Sequence, residues 1–145
     1  MALLAFVLTN QTFAQVDYKA AAKRLANSGE LALKVDDNIR ALKLFEQSMV
    51  ANPKHLGAYI GLAKTHFSLG NDDEGFKYYN TALMIDPVFL PALEGKALEY
   101  LKRGSLDEAN VVFAAIQKIC EALTCEEVFT VSEAIASYEV KIKIN

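Results

Sequence analysis

Few side chains in this 145-residue chain are able to do chemistry, and their spacing limits what they can do together. His55 and His66 stand eleven positions apart. On one helix they share a face but lie about three turns from each other, too far to hold a common metal ion. Cys120 and Cys125 are the only thiols. Their spacing is not that of a CxxC redox pair, and no second pair or nearby histidine completes a metal site. On one unbroken helix the two side chains would diverge by about 140° and could not bond. A turn between them, with Thr124 opening the next helix, would permit a disulfide. Without that turn both act as small buried apolar residues. The acidic clusters Asp72-Asp73-Glu74 and Asp107-Glu108 fall at helix starts, where carboxylates suit the helix dipole. No GxSxG elbow and no glycine-rich phosphate loop is present. These residues assemble no catalytic set, so no enzymatic activity, cofactor or metal is expected.

The elements that would position these groups are helical. Apolar residues make up 52% and charged residues 23% of the chain, a composition that suits a packed fold. The net charge of −3 argues against nucleic acid, which requires a clustered basic face. No stretch approaches the roughly 20 apolar residues of a membrane-spanning helix. Helical periodicity runs nearly throughout. It predicts helices over about 16–34, 38–51, 55–69, 72–85, 90–103, 106–120 and 125–142. Breaks fall at Asp36-Asp37-Asn38, Asn52-Pro53, Gly70-Asn71, Asp86-Pro87 and Gly104-Ser105. Asn71 with Glu74, Ser105 with Glu108, and Thr124 with Glu127 match cap-and-return pairs.

The first residues differ from the rest. Met1 to Val16 carries no charge, and the first ionisable side chain is Asp17. An apolar run followed by small residues at Thr12 and Ala14 reads as a secretory signal over 1–14, cleaved before Gln15. No Lys or Arg precedes the run, so the other reading is an N-terminal helical turn packed on the helix that follows. The first reading places the protein in the periplasm or outside the cell, with no stable membrane insertion once the signal is removed. The second leaves it in the cytoplasm.

A period of 34 residues orders everything after that. It relates Pro53 to Pro87, Ala41 to Gly75 and Ala109, Phe45 to Tyr79 and Phe113, Leu25 to Tyr59 and Leu93, and Gly70 to Gly104. Fixed self-similarity at this interval marks stacked supersecondary units. Small residues at Gly29, Ala63 and Ala97 keep the same step and would let paired helices approach closely. Phe45, Tyr79 and Phe113 would fill the core, so that Tyr79→Ala or Phe113→Ala costs about 3–5 kcal/mol.

On these residues the chain resembles the tetratricopeptide repeat proteins over about 22–123. The second repeat carries the pattern most fully, with Tyr59, Leu62, Ala63, Gly70, Gly75, Tyr79, Ala82 and Pro87. Departures fall at Ser28, at Asp36 in place of the turn glycine, at Lys96 in place of an apolar residue, and at Glu121 in place of proline. The resemblance implies an all-α fold, an α-solenoid of three helix–turn–helix repeats (about 22–55, 56–89 and 90–123) within a domain spanning 15–145. A capping helix over about 125–142 would close it. His66 takes a place usually held by an aromatic ring, which implies packing rather than ligation.

The resemblance also implies a non-catalytic adaptor whose concave groove takes a protein or peptide partner. Its positions map to an apolar line of Leu33, Ile60, Phe67, Leu98 and Leu101, with Lys34, Lys64 and Lys102 beside it. Such a strip would accept an amphipathic helix or extended peptide, with the lysines pairing acidic groups. Relatives that grip a peptide's terminal carboxylate do so at positions held here by Ala26, Glu30, Gly61, Pro91 and Gly95, so that clamp is missing. The alternative is a structural subunit of an envelope or surface assembly, or of a homo-oligomer. Val128, Val131, Ile135 and Tyr138 form one apolar face on the last helix, which would cover the third repeat, the groove or another copy.

Overall fold

The computed structural model describes residues 2–121 and 125–144, with side chains from Tyr18 onward. These residues form α1 (Ala2–Leu33), α2 (Asn38–Ala51), α3 (Leu56–Ser68), α4 (Asp72–Ile85), α5 (Leu90–Lys102), α6 (Leu106–Cys120) and α7 (Glu126–Ile144), and no strand. The start of α1 corrects the sequence expectation, which opened this helix near residue 16. No glycine or proline lies between Ala2 and Asp17 to stop a helix from extending back. The side chains of the expected signal segment, and Met1, lie outside the described residues.

The turns explain the 34-residue phase. Asp36, Gly70 and Gly104 have φ of 57°, 76° and 79°, the left-handed region. Each sits in the same hydrogen-bonded turn. The N–H groups of Asp37, Asn71 and Ser105 donate to the carbonyls of Ala32, His66 and Tyr100 at 3.0, 2.9 and 2.9 Å. This six-to-one bond around a left-handed residue closes a helix and fixes the exit angle of the chain. Asp36 therefore does the work of the missing glycine, a role a short polar side chain tolerates. Asp37 then caps α2, its Oδ1 accepting from the Arg40 N–H at 3.2 Å. Ser105 was expected to cap α6 but its hydroxyl makes no cap bond; Asp107 and Glu108 supply negative charge to that first turn instead. The Thr124 cap lies outside the described residues.

Two compact units divide the chain, Met1–Tyr78 and Tyr79–Asn145. In the first, α1 packs on α2 and α3, and α2 on α3. Ala26, Ala32, Ala41, Phe45 and Leu62 form its core. The Ser48 hydroxyl donates to the Ala22 carbonyl at 2.7 Å, a buried tie between α2 and α1. In the second, α7 packs on both α5 and α6, and Leu93, Ala97, Val112, Ile116, Cys120 and Val131 form the core. Phe113 corrects another expectation: it is only partly buried at the edge of this cluster, whose centre is taken by Ile116 and by Val131 from α7.

The rings require glycines beneath them. A Cβ on Gly61 would run into the Phe45 ring, and one on Gly95 would lie 2.5 Å from the Tyr79 hydroxyl oxygen. Ring and glycine recur together one period apart.

Candidate partner-binding surface

Five of the residues expected to line a groove belong to the first unit and three to the second. In the first unit, Lys34 and Lys64 are exposed, and the Lys64 ammonium stands 4.0 Å from the Glu30 carboxylate. Leu33 is partly buried against the Phe45 core. Phe67 is partly buried and meets Phe76 edge-on at 4.9 Å between centroids, while His66 stacks on Tyr78 at 5.3 Å. In the second unit Leu98 is partly buried and Lys102 is exposed.

Ile60 and Leu101 do not form part of an open apolar strip. They are 7% and 6% exposed. The cause is packing from two sides: α3 is contacted by α1 and α2, and α5 by α6 and α7. Lys102 is also already engaged, its ammonium 2.7 Å from Glu99, and Arg103 pairs with the same carboxylate. Glu99 is thus a buried acid held by two cations, a necessary arrangement because an unpaired charge there would be costly. Sequence reasoning missed it, although Glu99, Lys102 and Arg103 at i, i+3 and i+4 carry the signal.

Electrostatics elsewhere follow from burial. His55 titrates below its ordinary value because it is partly buried, and Lys23 nearby adds to the effect. Burial likewise lowers Lys96, whose ammonium donates to Asn80 Oδ1 at 2.7 Å and lies 5.9 Å from the Tyr100 ring centre. Of the clamp positions, Ala26 and Gly61 are buried, Glu30 faces Lys64, and Gly95 lies under Tyr79. None offers a donor to a carboxylate. Cys120 ends α6 and Cys125 precedes α7, and a disulfide joins them with Cα atoms 5.8 Å apart. Among the described residues no acidic, histidine or cysteine group is arranged to hold a metal ion, and no helix is long and apolar enough to cross a membrane.

Several large apolar side chains outside the expected groove set are exposed. Ile39 and Val50 on α2 are 71% and 77% exposed, and Tyr18 on α1 is 61% exposed.

No protein-family model matches the sequence, and no curated protein does. Solved structures do match the fold. The TPR domain of Sgt2 from Aspergillus fumigatus aligns with a TM-score of 0.69 at 14% identity, over 84% of this chain and 79% of that one. The type III secretion translocator chaperone SycD of Yersinia enterocolitica aligns at 0.70 and 18%, over 86% and 93%. The first TPR of Spaghetti (RPAP3), solved with the HSP90 peptide SRMEEVD, aligns at 0.66 and 17%, over 81% and 98%. The fold is therefore all-α, built of helix–turn–helix repeats of the tetratricopeptide kind.

Proposed function

We propose that this chain is a non-catalytic adaptor that binds another protein through the helices leading its repeats, with α1 and α3 offering one surface in the first unit and α5 a surface of its own in the second. The observation that carries this reading is the set of three phase-locked turns at Asp36, Gly70 and Gly104, which builds the same fold that in Spaghetti holds a peptide and in SycD serves a secretion translocator. The surface offered is mixed rather than greasy. Lys34, Lys64 and the accessible parts of Leu33 and Phe67 favour a helix or peptide with acidic side chains beside apolar ones. In the second unit, the accessible part of Leu98 offers an apolar contact of its own. A free C-terminal carboxylate is not the anchor, since the positions that would grip it hold Ala26, Glu30, Gly61, Pro91 and Gly95.

Co-purification from native cells with the wild-type chain, then with Phe67→Asp and with Leu98→Asp, tests this. Loss of one specific partner in either variant is expected; unchanged recovery in both removes these helices as the binding surface.

Export belongs to the same reading. The uncharged apolar segment before Asp17 supports it, as does a disulfide, which persists in oxidising compartments. The mature protein should then begin at Gln15, and intact-mass measurement finding Met1 retained would remove this half of the proposal.

A further inference from the structure

We propose that α2 docks antiparallel against α2 of a second copy of this chain, along the stripe Ile39, Lys43, Glu46 and Val50. These four residues fall at i, i+4, i+7 and i+11, within about 60° of arc on one side of the helix. All four are exposed, and the two apolar ends are among the most exposed apolar side chains described. The stripe is complementary to its own reverse. A two-fold axis passing between Leu44 and Phe45 sets Ile39 of one copy opposite Val50 of the other, and Lys43 opposite Glu46. An isologous contact repeats each pairing, giving two apolar pairs and two ion pairs. Neither Lys43 nor Glu46 takes part in an ion pair among the described residues.

The ends of the stripe have somewhere to go. Tyr18 and Val50 border a cleft of about 700 Å³ that Lys43, Glu46, Gln47 and Ala51 also line. In the antiparallel arrangement Ile39 of the second copy enters that cleft beside Val50. No acidic or basic residue in the stripe is left facing its like. This surface lies within the first unit and is independent of the adaptor reading.

Sedimentation velocity of the full chain over a range of concentrations tests the proposal, with circular dichroism showing that each variant is folded. The wild type should associate reversibly to a dimer. Lys43→Glu alone, or Glu46→Lys alone, sets like charges opposite twice over and should raise the dissociation constant about tenfold or more. The combined exchange, Lys43→Glu with Glu46→Lys, restores opposite charges and should bring it back to within about threefold of wild type. Ile39→Asp with Val50→Asp should be monomeric. A wild type that stays monomeric at every concentration overturns the proposal. So does a dimer of wild-type strength in either single charge variant or in Ile39→Asp with Val50→Asp, or a combined exchange that does not re-associate.

Discussion

Phe45 over Gly61 and Tyr79 over Gly95 show how single residues set the spacing of these helices. Two kinds of glycine can be separated by experiment. Gly61 is needed for space, so Gly61→Ala forces a methyl into a ring and should cost about 1–3 kcal/mol. Gly70 has nothing within 4 Å of an added Cβ but holds φ at 76°. Gly70→Ala should cost about 1–2 kcal/mol through backbone strain alone. Urea denaturation gives both values, and replacing Phe45 by Leu should ease the first and leave the second untouched. Tyr79→Ala, at 1% exposure, should cost about 3–5 kcal/mol by the same measurement. His55 provides a pH test. Its pKa is lowered in the folded chain, so the unfolded chain takes up the proton first. Stability is therefore present above about pH 6.5 and declines as pH falls below it. The urea midpoint should drop between about pH 7.5 and about pH 5.5, and His55→Gln should lose that part of the drop. An equal drop in His55→Gln would assign it to other groups.

At the scale of elements, α7 has the most to lose. It is joined to α6 by Cys120–Cys125 and buries Val131 completely against α5 and α6. Val131→Ala should cost about 2 kcal/mol as a buried cavity opens. Cys120→Ser with Cys125→Ser should cost about 2 kcal/mol from the released six-residue loop, measured against wild type in non-reducing denaturation. The bounds of α2, α4 and α6 were legible because breakers and capping acids flank them in the sequence. The start of α1 was not, since a change in charge at Asp17 resembles a boundary while the backbone has no reason to stop there. The buried state of Ile60 and Leu101 was equally hidden. Periodicity names the faces of a helix, but α3 and α5 each meet two neighbours, and a helix packed from two sides withdraws residues that a one-sided pattern leaves outside.

At the scale of the molecule, the repeat was readable from Gly70 and Gly104 at the turns, whereas Asp36, in the same left-handed turn, read only as a departure from the pattern. What the surface binds was not readable, since its residues answer to a partner rather than to packing within the chain. Among the described residues the cluster around Phe45 and the cluster around Ile116 share no member, and a repeat array passes stability only between neighbours. Phe45→Leu and Ile116→Val should therefore add in their effects to within about 0.5 kcal/mol, and a larger coupling in the double-mutant cycle would show the cores acting as one.

The paired rings and glycines also constrain how such a sequence can drift. A side chain at Gly61 is costly while Phe45 keeps its ring, and Gly95 stands in the same relation to Tyr79. A lineage exploring carboxylate-gripping side chains at either site would first have to shrink the aromatic, passing through an underfilled core. Change at either glycine is therefore least costly when its ring shrinks as well, so each pair acts as one unit of variation.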